Sequence, residues 1–152
     1  MKKSRVVIFF IAVIVFVLTI IVLSNVTYNA KVVIAGKTYK VDVAETRYFL
    51  ERGLSGRESL KSNEGMFFIF QKPDKYGFWM KDMSFPIDII WFDESLKVVH
   101  IEKDVKPETY PKVFTPESNS EYVLEVSSGQ VDILNIKIGD RAEFLAKSSK
   151  NS

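Results

Sequence analysis

After Ser24 every apolar run in this chain is of strand length, and most end at a turn signal. Gly65-Met66-Phe67-Phe68-Ile69-Phe70 is one such run, and Ile87 to Asp93 is another. Lys31–Ala35 and Thr38–Val43 flank Gly36-Lys37, which predicts a hairpin on a two-residue type II′ turn with glycine first. Further strands are expected at Phe78–Lys81, Lys97–Lys103, Glu121–Val126 and Arg141–Leu145, with a turn at Gln71–Lys75. Only two segments have helical character. Glu45–Arg52 has Arg52 beside its negative end and Gly53 as the stop. Ser127-Ser128-Gly129-Gln130 has capping-box form and opens a second short helix through Asn135. Asp104–Ser120, with three prolines and no period, reads as a long exposed loop. Roughly seven to nine short strands with two short helices predict a mainly β domain, a small β-barrel or jelly-roll-like sandwich.

The N-terminus breaks this pattern. Val6 to Leu23 is apolar all round and, at about 1.5 Å per residue, spans about 27 Å, close to the thickness of a bilayer core. Lys2, Lys3 and Arg5 precede it and should stay in the cytoplasm. The expectation is one N-terminal transmembrane helix retained as an anchor, with the C-terminal domain outside the cytoplasm of the cell membrane. A cleaved signal peptide is the rival reading, with Val22-Leu23-Ser24 as a tolerable cleavage site. The layout is then an anchor over 1–24, a linker over 25–30, a β-rich domain over 31–146 and a polar tail over 147–152.

Composition excludes several chemistries. Removing Lys2, Lys3 and Arg5 from the 21 basic residues leaves 18 against 19 acidic ones, so the exported part lacks the basic excess of a nucleic-acid binder. With no cysteine, there is no disulfide, thiol nucleophile or thiolate metal site. His100 is the single histidine, read as a surface residue, and no metal site or cofactor is expected.

Phe78 to Asp93 holds both tryptophans, with Lys81, Asp82 and Asp88 among large apolar residues. Strand alternation places Phe78 and Met80 on one face and Trp79 and Lys81 on the other. The second face pairs an indole with an ammonium, as an aromatic-lined pocket with one polar anchor would. Packing inside a small barrel is the plainer alternative. Asp88, between Ile87 and Ile89, and Glu125, between Leu124 and Val126, are carboxylates in apolar settings that need partners if buried. Arg57 and Lys81 are the candidate partners.

The order of short motifs along the chain is similar to that of the domain-of-unknown-function family 192 (DUF192), a set of exported or membrane-anchored bacterial and archaeal proteins. The match runs from about Val32 to Phe144. It rests on Arg52-Gly53-Leu54-Ser55-Gly56-Arg57, Gly65–Phe70, Phe78-Trp79-Met80-Lys81-Asp82, Pro86–Trp91, Tyr122-Val123-Leu124-Glu125 and Ile138-Gly139-Asp140. The resemblance implies a compact β-barrel or jelly-roll-like fold and no agreed activity. Ser55 stands where the family commonly has methionine, and Asp82 where it commonly has asparagine, which adds a charge beside the motif.

The candidate ligand-binding residues are therefore Arg57, Trp79, Lys81, Asp82, Asp88 and Glu125. The favoured function is a membrane-tethered binding or accessory module for an envelope glycan or a membrane-protein partner. The alternatives are an envelope hydrolase using Asp88 and Glu125 as a carboxylate pair, and a structural accessory subunit of a membrane complex.

Overall fold

Seven strands form one sheet in the computed structural model, which describes residues 30–146. They are β1 (Ala30–Ile34), β2 (Lys37–Ala44), β3 (Glu64–Asp74), β4 (Ile87–Phe92), β5 (Val98–Val105), β6 (Ser120–Ser127) and β7 (Ala142–Leu145). Two short helices, α1 (Arg47–Arg52) and α2 (Gln130–Leu134), decorate it. The expected transmembrane anchor, Val6–Leu23, and the tail lie outside the described residues. Among the described residues no helix is long and apolar enough to cross a membrane.

The strand order is β5-β4-β6-β3-β2-β1-β7. Only β2 and β3 run parallel; the other neighbours are antiparallel. The sheet is open in this order, but its two edges meet at one end. Lys97 bridges Arg141, the Val98 N–H donates to the Asp140 carbonyl at 2.8 Å, and the Ala142 N–H donates to Leu96 at 2.9 Å. The result is a half-barrel, mainly β as expected, built on one curled sheet rather than two stacked ones.

Both faces of this sheet are buried. One cluster gathers Val98 of β5, Phe67, Leu124, Ile90 and Val126 from the centre, Val32 of β1 and Phe144 of β7. Because it joins residues from both ends of the strand order, it lies on the face the sheet curls around. The opposite face carries Met66, Phe68, Ile87, Ile89, Trp91 and Val123, and is covered by Leu54, Phe78, Met80 and Phe114. Each fully buried large side chain here, Trp91 and Phe68 among them, contributes about 2–3 kcal/mol by leaving water. The β4 strand, IDIIWF, is buried along its whole length because both of its faces are covered.

Four local expectations are corrected. The first hairpin turns on Ala35-Gly36, both with positive φ (48° and 76°), so it has type I′ character and Lys37 begins β2. The turn expected at Gln71–Lys75 is instead the end of β3, which runs through Pro73 with an irregularity between Ile69 and Asp74. Phe78–Lys81 is not a strand. Only Phe78 pairs, with Phe114, through two backbone bonds of 2.8 Å. Burial along it still alternates: Phe78 and Met80 are buried while Trp79 and Lys81 are exposed. The capping box at Ser127–Gln130 does not form, because both serine hydroxyls bond elsewhere, to the Leu60 carbonyl and the Asp104 carboxylate.

Candidate functional site

Helix α1 stops at Gly53, whose N–H donates to the Phe49 carbonyl and whose φ of 52° with ψ of −136° is open only to glycine. The chain then drops Leu54 into the second core. The end of α1 and the facing Tyr76–Met83 segment bound a cleft of about 260 Å³. Its walls are aromatic. Phe68 and Phe70, two residues apart on β3, share a face and point into it. Phe70 stacks on Tyr76 with ring centroids 3.5 Å apart, and Phe68 meets Phe78 edge-on at 4.8 Å. The buried Trp91 indole donates to the Tyr76 carbonyl at 2.9 Å and fixes that wall. Trp79 stands at the mouth, 49 % exposed, edge-on to Tyr110.

Glu125 is the one buried polar residue in the lining of this cleft, to which Glu51, Arg52 and Ser55 also contribute. The residue is 4 % exposed, and its Oε2 has no hydrogen-bond partner. Burial pushes its carboxyl up from an ordinary 4.5 to about 8, against the pull of the Arg57 charge. At neutral pH it is therefore a protonated acid facing aromatic rings, able to donate a hydrogen bond to whatever enters. A Cβ on Gly53 would lie 3.4 Å from Phe68 and 3.8 Å from Glu125 Oε2, so the missing side chain keeps the floor open.

Asp88 has the opposite situation. The β4–β6 register sets Asp88 across from Val126 and Ile89 across from Glu125. Directly opposed residues share a face, so the two carboxyls lie on opposite faces of the sheet. Asp88 is fully buried, and both its oxygens are used. Oδ1 accepts the Asp104 N–H at 2.9 Å and Oδ2 accepts the Val131 N–H in the first turn of α2 at 2.8 Å. It thus supplies from β4 the N-terminal cap that the Ser127–Gln130 motif does not. Its partners are backbone amides, not Arg57 or Lys81. A carboxylate pair acting on one glycosidic bond must flank that bond within a single cleft, which Asp88 and Glu125, on opposite faces of the sheet, cannot do.

The remaining predicted residues lie around the cleft rather than in it. Arg57 pairs with Asp42 at 2.5 Å, half exposed. Lys81 and Asp82 are exposed, and their backbone is laced to the α1 loop. Ser55 Oγ donates to the Lys81 carbonyl at 2.7 Å, and the Gly56 N–H donates to the Asp82 carbonyl at 2.9 Å. Asp82 has φ of 55°, a left-handed conformation that asparagine and aspartate tolerate best after glycine. Aspartate at this position is therefore compatible with the backbone conformation. His100, predicted as a surface residue, is half-buried edge-on against Trp91, with Glu102 at 3.3 Å. Among the described residues no cluster of three His, Cys, Asp or Glu could hold a metal ion.

The sequence reading missed Tyr76, Phe70 and the α1 end as cleft walls. The Met66, Phe68, Phe70 alternation was the available signal for one of them. The approach of α1 to Tyr76 depends on tertiary packing, which no local pattern records.

Among solved structures, one of a protein of unknown function from Novosphingobium aromaticivorans DSM 12444 superposes with a TM-score of 0.69 at 29 % identity, covering 75 % of this chain and 82 % of that one. Another, from Sinorhizobium meliloti 1021 and described as a candidate transcription regulator, gives a TM-score of 0.72 at 26 % identity, covering 79 % and 97 %. No curated protein matches the chain. The family model for DUF192, described as an uncharacterized ACR, matches residues 30–144, and the chain belongs to that family.

Proposed function

We propose that this protein is a membrane-tethered, extracytoplasmic binding module whose cleft takes a sugar unit of an envelope glycan. The carrying observation is an aromatic-walled cleft of about 260 Å³ with a half-exposed tryptophan at its mouth and an unpartnered acid on its floor. Aromatic faces stack on the C–H faces of a sugar ring, and a few polar groups orient it, which is the usual make-up of a small-ligand site. Tethering rests on the Val6–Leu23 run and its basic flank.

Trp91 is fully buried and Trp79 is not, so tryptophan fluorescence reports on the cleft mouth. Titrating the full chain with mono- and disaccharides should shift that emission, and Trp79→Ala should abolish the shift. A flat titration across neutral and charged sugars would sink the saccharide reading.

One observation favours a protein partner instead: Tyr48 and Phe49 of α1 are 61 % and 47 % exposed beside the cleft. Photo-crosslinking from position 49 in intact cells, yielding one discrete adduct, would support that reading.

A further inference from the structure

We propose that the Glu125 cleft selects a sugar bearing a protonated amine, whose ammonium forms a buried ion pair with the Glu125 carboxylate. This rests on the saccharide reading of the same cleft and adds the charge of the ligand.

Glu125 Oε2 is sealed from bulk water without a partner, and Gly53 leaves space beside it. The charged groups facing it are already engaged. Arg57 is held by Asp42 at 2.5 Å, Arg52 donates to the Tyr48 hydroxyl at 2.8 Å, and Glu51 is paired with Arg47 at 2.8 Å. Among the described residues no cation lies within ion-pair distance of Glu125. The Arg57 charge acts on it only from a distance, and the acid stays protonated at neutral pH. The surrounding rings of Phe68, Phe78 and Trp79 add faces that attract cations. The cleft therefore offers one buried acid that no cation pairs with and an aromatic wall, with Arg52 and Glu51 of α1 also in its lining.

The proton balance is simple. The free cleft holds Glu125 as –COOH. A ligand entering as R–NH3+ leaves a –COO⁻ paired with R–NH3+, and one proton passes to the buffer. A neutral sugar accepts a hydrogen bond from the acid and moves no proton.

Calorimetry on the full chain, in a detergent without a sugar head group, separates these cases. Glucosamine, glucose and N-acetylglucosamine are titrated at about pH 6.5 in buffers of different ionisation enthalpy. Glucosamine should bind at least about tenfold more tightly than the two neutral sugars and release close to one proton per site. Its affinity should rise with pH until its own amine deprotonates, while that of glucose stays flat. Within the Glu125→Gln variant, glucosamine should bind no more tightly than the neutral sugars and release no proton. Equal affinities, or glucosamine binding with no proton release by the wild-type chain, would overturn the amine selectivity and leave the saccharide site standing. Binding of no sugar at all would overturn both.

Discussion

Asp88 and Glu125 occupy adjacent strands, are both buried and differ in everything that follows. Asp88 faces the inside of the half-barrel and accepts two backbone N–H groups. Glu125 faces the loop-covered side and has an oxygen with no partner. One carboxylate ties β4 to the end of β5 and the start of α2. The other is a polar group that the fold alone leaves unsatisfied. Buried polar atoms in native proteins are nearly always bonded, so the exception points to a use beyond packing. What separates the two is register: a shift of one residue between β4 and β6 would put both on one face.

The sharpest way to break this comparison is to remove each acid in turn. Asp88→Ala should destabilise the domain by about 3 kcal/mol or more, since two buried backbone donors lose their acceptor. A urea midpoint unchanged from wild type would refute its role as a cap.

The next effect is the pH dependence imposed by Glu125. Its carboxyl titrates near 4.5 when unfolded and about 8 when folded. Between those values the folded state holds a proton that the unfolded chain has lost. Stability from this group is therefore greatest below 4.5, falls as pH rises through the window, and changes no further above about 8. The Glu125→Gln variant should flatten that slope. A wild-type unfolding series from pH 5 to about 8 with no downward component absent from the variant would show that Glu125 is not held neutral.

Gly53→Ala probes the space between the two cleft walls. The residue's φ and ψ disfavour any side chain, at a cost of about 1–3 kcal/mol, and the new methyl would come into contact with Phe68. Thermal unfolding should show the loss, with saccharide binding reduced more than stability alone explains. The smallest stability effect belongs to Trp79→Ala. Its side chain is half exposed, so the midpoint should move by no more than about 0.5 kcal/mol while ligand response vanishes. A large loss of stability would make Trp79 a packing residue.

Much of the fold was legible because it depends on local pattern. The strand runs at Gly65–Phe70, Ile87–Phe92 and Glu121–Val126, and the stop at Gly53, follow from chain-local rules. The errors fall where a partner decides the outcome. Gly36 is the second residue of its turn, because Ala35 accepts a positive φ and the β1–β2 register then begins at Ile34 and Lys37. Phe78–Lys81 has strand-like alternation but meets another strand at a single bridge. The serines of the expected capping box are drawn to Leu60 and Asp104, and Asp88 caps from another strand. In the site, Trp79 and Glu125 were identified from an unusual residue in an otherwise regular context. Tyr76 and the α1 end carry no such mark.

The β1–β7 ladder places Lys31 opposite Leu145. The point where the chain enters the domain and the point where it leaves are thus neighbours, about one strand spacing of 4.8 Å apart. A short linker joining them would make the path a closed ring without disturbing either core. New ends opened at the exposed Glu94-Ser95 turn should then give a circular permutant with the same cleft. The same proximity makes the domain a cassette, able to sit as an insertion in a loop of another protein without forcing that protein's own ends apart.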